Sequence, residues 1–280
     1  MPAATDLTAE AHRAAVIDWW TQRDERLRDP NGWLTLVGLH WLVPGENRFG
    51  ADASNAIVLS GEDVPAHAGS LWLEEGEVRL QAHGETQPRP EPLASDIGGE
   101  PTVIEIGSLH MYVIQRGQRW GLRVRDHASP KIAAFRGMDH FPIDPSWRVA
   151  GRLRPAEAGE RLEIVDVTGD IGFEETPGTV EFERDGQTWS LAALPGDDDE
   201  RRVWLVFGDA TNGRDTYGGG RFLYSEPVAD DGSVVLDFNL AYNPPCVFSE
   251  FATCPLPPPE NRLNLRIEAG ERNYRPAAGG

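Results

Sequence analysis

Two cysteines, one lysine and no apolar run near the length of a membrane span set the first limits on this chain of 280 residues. Two thiols in a chain this long are no disulfide framework, and in a reducing compartment they stay reduced. No run approaches the roughly 18 apolar residues that cross a bilayer. Residues 1–10 have neither a basic start nor an apolar core, so the location expected is cytoplasmic. Positive charge is scarce: 26 basic residues, of which Lys131 alone is a lysine, face 45 acidic ones for a net charge of -19. A field of that sign repels phosphate backbones and anionic membrane surfaces, which argues against nucleic-acid and membrane partners. No histidine follows His140, so the cysteines lack the extra ligands a local zinc site needs. A G-x-S-x-G elbow is absent too, and with it the usual mark of a serine hydrolase.

What the chain does have is a hydrophobic content of 40% against 25% charged residues, sufficient for a full core. One helix is expected from Thr8, as N-cap, to Arg28, with Ala11, Ala15, Val16, Trp19, Trp20 and Leu27 on its apolar face and Asp29-Pro30 followed by Asn31-Gly32 to end it. Residues 33–42 are apolar apart from Thr35 and His40, and periodicity does not decide between buried strand and short helix. From residue 56 onward short β-like runs alternate with glycine turns, and Asp185-Gly186 is the strongest hairpin signal because a type I′ turn needs positive φ at both positions. The fold class expected is mainly β: a sandwich or barrel of many short antiparallel strands with one N-terminal α-helix. Residues 1–50 read as helix and apolar segment packed on the body, 51–126 as a first β set, and 127–280 as a second, together one compact unit. Residues 126–146 carry few strand signals and three prolines, a boundary or a functional loop. The acidic run 197–200 reads as a solvated loop.

The stretch 236–271 is unlike ordinary surface loop. It holds both cysteines and six of the 22 prolines. A strand is expected over 234–240, placing Asp237 and Asn239 on one face. Prolines 244, 245, 255, 257, 258 and 259 cannot continue a ladder, yet Tyr242, Phe248, Phe251 and Leu256 are too apolar for a disordered linker. An ordered, irregular crossing follows, and then a second strand over 262–268, where apolar and polar residues alternate.

This stretch, together with GWLTLVGLHWLVPGENRFG (32–50), LRVRDHASPKIAAFRGMDHFPIDPSWRV (122–149) and TYGGGRFL (216–223), resembles domain-of-unknown-function family 1684 over nearly the whole chain. The resemblance implies membership of a family and no particular activity.

Chemistry must therefore be read from residue types. Cysteine acts as a nucleophile when a base or positive centre stabilises its thiolate. Cys246 is the candidate, with His127 or His140 as base and Arg221 or Arg262 as positive centre; a buried structural cysteine is the plainer alternative. Asp237 is a candidate general base. Arg221 and Arg262 are suited to anchoring an anion, Tyr217 and Tyr242 to offering hydroxyls, and Asn239, Asn243, Glu260 and Asn261 to lining the same hollow. The same polar set, paired within itself, would simply hold the crossing in place. The glycines 218–220 leave backbone amides able to cradle a carboxylate or phosphate, or else permit a bulge. Residues 209–220 begin like a calcium loop, but Gly220 stands where the closing glutamate belongs. Three readings follow: an enzyme, such as a hydrolase or lyase on an anionic substrate; a non-catalytic β module that binds a small molecule; and an interaction protein whose proline run docks a partner. None calls for a metal or cofactor.

Overall fold

The computed structural model describes residues 7–196 and 201–275, so the acidic run at 197–200 lies outside the described residues. The chain forms two compact units: one takes in the N-terminal stretch through Leu27 and the chain from Phe135 onward, the other Arg28–Ala134.

The Arg28–Ala134 unit contains two four-stranded sheets. One runs in the order Leu36–Trp41, Arg119–Asp126, Leu109–Arg116, Val103–Ile106, antiparallel throughout. The other runs Ile57–Val58, Gly45–Gly50, Gly69–Glu74, Glu77–Ala82, its first pair parallel. Phe49, Leu71, Val78, Met111, Val113, Leu122 and Val124 form the core. The apolar run after the first helix resolves into a short 3-10 turn, Trp33–Thr35, and a strand, Leu36–Trp41.

The larger unit is built on a six-stranded antiparallel sheet in the order Arg221–Tyr224, Val203–Phe207, Gln187–Pro195, Gly178–Arg184, Arg148–Pro155, Ser233–Asp237. A separate hairpin, Arg161–Val165 with Ile171–Glu175, stands beside it in sequence. The expected turn at Asp185-Gly186 joins Gly178–Arg184 to Gln187–Pro195 with φ of 56° and 74°, the two positive values a type I′ turn requires. Val180, Leu191, Leu205, Phe207, Leu223, Leu236 and Phe238 fill the core. The mainly β expectation of short antiparallel strands with one N-terminal helix holds; a second α-helix, Pro130–Ala134, is only five residues long.

That N-terminal helix spans Ala9–Arg28, and the Thr8 hydroxyl accepts from the Ala11 amide at 3.2 Å as an N-cap. Its buried face differs from the apolar one expected. His12, Val16, Arg23 and Leu27 are buried, four, seven and four positions apart, whereas Ala11 and Ala15 are exposed. Polar residues win the inner face because each meets a buried partner from far along the chain: His12 meets Asp237 at 2.6 Å and Arg23 meets Glu271 at 3.2 Å.

Two expectations for the tail need correction. The strand over 234–240 stops at Asp237, whose carboxylate caps a 3-10 turn, Phe238–Leu240, by accepting from the Asn239 amide at 3.1 Å. Residues 262–268 keep their alternation, with Leu263, Leu265 and Ile267 buried and Arg262, Asn264, Arg266 and Glu268 exposed, but they form no strand. Their carbonyls are engaged otherwise: Arg221 donates to the Ile267 carbonyl at 2.9 Å and to that of Ala269.

Candidate functional site

The crossing is ordered by short 3-10 turns, Pro245–Val247 and Pro259–Asn261, each entered through proline, whose fixed φ suits the first turn. Around it the candidate residues fall into four groups.

The first lies under the helix. Asp237 is buried and held by His12 and by the Asn239 side chain at 2.8 Å. Asn239, fully buried, also exchanges hydrogen bonds with the Asp144 backbone, at 3.0 Å each way. Asn243 donates from its amide to Glu271 at 2.7 Å and from its side chain to the Arg272 carbonyl at 2.7 Å. Tyr242 sits beneath the Arg23 guanidinium, 4.9 Å from its ring centre, and packs edge-on to Phe222. Burial raises the Glu271 carboxyl above its usual range, against the pull of Arg23.

A second group is centred on Arg221, the largest fully buried side chain among the described residues. Nη2 reaches the Asp209 carboxylate at 2.7 Å and the Ile267 carbonyl at 2.9 Å, while Nη1 serves the backbone carbonyls of Ala269 and Glu271. Asn261 is buried likewise, donating to the carbonyls of Ala192 at 2.8 Å and Val206 at 2.9 Å. These side chains tie the tail to the sheet. Glu260 is exposed on the turn beside them.

The third group is sulfur-centred. Cys246 is half-buried and Cys254 is 3% exposed; both are reduced. The Cys246 amide donates to Cys254 Sγ at 3.1 Å. Hydrogen bonds from the Cys254 thiol and the Tyr217 hydroxyl bring the Cys246 thiol down to about 7, against the opposing effect of burial. The Tyr217 hydroxyl is pushed up by burial and by the same contact. His127, one candidate base, belongs to the Arg28–Ala134 unit, stacked on His110 with ring centres 3.6 Å apart. Burial, then His110 and Arg125, lower it.

The fourth group lines a cleft of about 550 Å³. One wall is the loop 208–220, in which Asn212 accepts from the Asp209 amide at 2.6 Å and donates to Thr216 and to the Tyr217 carbonyl, a set that stiffens the loop from within. The other wall is Leu256, Pro257, Arg262, Leu263 and Asn264 from the crossing and its exit. The Gly220 amide closes a turn onto the Tyr217 carbonyl at 3.2 Å, while among the described residues the amides of Gly218 and Gly219 meet no acceptor. Gly220 has φ of 91°, and a Cβ there would strike Pro257 and the Phe207 carbonyl, so only glycine lets the walls approach. Arg262 is exposed, its guanidinium donates only to the Pro257 carbonyl at 3.3 Å, and it forms no ion pair among the described residues. The glycine run carried a signal in the sequence. Asn264 carried none beyond being polar.

No group of three or more His, Cys, Asp or Glu side chains with metal-holding geometry occurs among the described residues. Among the described residues no helix is long and apolar enough to cross a membrane.

Fold and site together define a mainly β protein whose proline-rich tail walls a polar cleft. The chain belongs to the family described as Protein of unknown function (DUF1684), whose sequence model matches residues 133–272. That span contains the cleft and both cysteines but not the motif at 32–50, so the match is narrower than the resemblance over nearly the whole chain. A solution NMR structure of an uncharacterized protein from Haloarcula marismortui is similar, at 35% identity and a TM-score of 0.42, the match covering 49% of this chain and 77% of that one. Among curated proteins, none matches this chain.

Proposed function

We propose that the cleft between the glycine loop and the proline crossing binds a small anionic molecule carrying a carboxylate or phosphate group. The observation that carries this reading is Arg262: an exposed guanidinium without a carboxylate partner, facing the same cleft as two backbone amides that have no acceptor. An arginine fork and adjacent bare amides suit the geometry of a carboxylate or phosphate. The neighbouring Asp209 does not oppose an anion as a lone carboxylate would, because Arg221 already pairs with it. The net charge of -19 disfavours anions at long range, so recognition rests on these few short contacts.

Binding without turnover is the better supported form of this reading. Asp237 serves a network with His12 and Asn239, and Cys246 one with Cys254 and Tyr217, and neither Asp237 nor Cys246 lines the cleft. A docking role for the proline run has less support, since Pro257 and Pro258 are buried.

Isothermal titration with inorganic phosphate and with citrate tests the proposal. Binding of either that Arg262→Ala weakens at least roughly tenfold, about 1.4 kcal/mol, is the expected result. Equal binding by wild type and variant, or none by wild type, sinks it.

A further inference from the structure

The sulfur pair suggests an activity separate from ligand binding. Cys246, the middle residue of the tight turn Pro245–Val247, and Cys254 stand eight positions apart, and the chain between them folds back on itself. The fold-back brings the Cys246 amide to 3.1 Å from the Cys254 sulfur. Their exposures differ: Cys246 is half-buried whereas Cys254 is 3% exposed. Beside the more open sulfur lies the Tyr217 hydroxyl, which helps hold the Cys246 thiol below its ordinary value. A structural pair of apolar cysteines needs neither a phenol on one sulfur nor an amide on the other.

We propose that Cys246 and Cys254 form a reversible peroxide-sensitive dithiol, Cys246 being the attacking sulfur and Cys254 the resolving one. In the first step the Cys246 thiolate attacks one oxygen of hydrogen peroxide, the O–O bond breaks, and hydroxide leaves, so that sulfur is oxidised to a sulfenic acid. In the second the Cys254 sulfur attacks that of Cys246, the S–O bond breaks, and water departs with the Cys254 proton. The proton lost earlier from Cys246 neutralises the hydroxide. Two thiols are oxidised to one disulfide and one peroxide is reduced to two waters. The order of events follows from access, since the oxidant meets Cys246 first, and from thiolate character, which the hydrogen bonds at Cys246 raise. The backbone next to Cys254 is a structural junction: its carbonyl accepts from the Val167 amide at 2.9 Å, and the Leu256 amide donates to the Val165 carbonyl at 2.8 Å. Bridge formation therefore acts on a segment that holds the turn end of the hairpin Arg161–Val165 and Ile171–Glu175.

The test is a hydrogen peroxide titration of the full chain, quenched with an alkylating agent and read by intact mass and peptide mapping. Expected is loss of both alkylation sites together with two hydrogens, restored by dithiothreitol. Cys254→Ser should stop at a sulfenic acid on Cys246 that dimedone traps, and Tyr217→Phe should slow oxidation at neutral pH roughly three- to tenfold. If Cys254→Ser does not fold, the wild-type time course decides by itself, because Cys246 must be alkylated faster than Cys254 before oxidation. Cysteines that both stay alkylatable through the titration, a bridge between two chains, or overoxidation of Cys246 without a bridge would each overturn the proposal.

Discussion

The floor beneath the N-terminal helix and the wall of the cleft use the same kinds of side chain, arginine, asparagine and carboxylate, to opposite ends. Under the helix, His12, Arg23, Asp237, Asn239 and Glu271 are all buried, and each carboxylate meets an imidazole or a guanidinium from a distant part of the chain. In the cleft, Arg262 is exposed with a single side-chain hydrogen bond, and the amides of Gly218 and Gly219 meet no acceptor among the described residues. A dense run of polar residues thus marks a site only where the fold leaves some of them without partners. Arg221 and Arg262 make the contrast sharpest: Arg221 is a strut and Arg262 a candidate contact.

The widest separation between the two regions comes from removing the strut. Arg221→Ala strips Asp209 of its partner in a fully buried position and should cost about 3–5 kcal/mol in urea unfolding. A loss below about 1 kcal/mol would mean the pair is not the clamp described. Gly220→Ala should cost about 2–3 kcal/mol, since it adds a Cβ at φ of 91° against Pro257 and Phe207. Wild-type stability in that variant would show that the cleft walls yield easily.

Acid sensitivity belongs to the helix floor. His140 stacks on Trp20 with ring centres 3.8 Å apart, and burial lowers it from 6.5 to about 4. The unfolded chain takes up the proton near 6.5 and the folded one only near 4, so between those values the unfolded state binds more protons and stability rises with pH. The contribution is complete above 6.5 and lost as pH falls towards 4, about 2 kcal/mol for a group that is partly open to solvent. His140→Phe keeps the stack and should remove that dependence from pH-resolved denaturation curves. If the slope of the variant matches wild type, another group supplies it. Glu271 has the opposite sign, because its raised folded value makes its contribution fall as pH rises above the usual carboxylate range.

Much of the fold was legible in the sequence because it rests on local signals. Thr8, the Asp29-Pro30 stop and the Asp185-Gly186 turn act through their own neighbours, and each appears where expected. The helix face was not legible, since His12 and Arg23 are turned inward by Asp237 and Glu271, more than two hundred positions away. Residues 262–268 show the same limit. Their alternation correctly gave the buried side, yet pairing depends on where Arg221 places its donors. At the site, the glycine run and the cysteine pair stood out as residue types. Which arginine keeps its charge available is decided only by burial.

The smallest effect on stability is expected at Arg262. Arg262→Ala should leave the unfolding free energy within about 0.5 kcal/mol of wild type, as for exposed positions with few contacts. At phosphate a hundredfold above its dissociation constant, the wild type should gain about 2.7 kcal/mol and the variant measurably less. A large intrinsic loss would place Arg262 with the struts.

The central claim, that the glycine loop holds unanswered donors, is tested most directly by following backbone amides in a nitrogen–proton correlation spectrum during titration with inorganic phosphate. The account predicts saturable shifts led by Gly218 and Gly219, reduced in Arg262→Ala. Amides that do not move at those two positions while others elsewhere respond would contradict it.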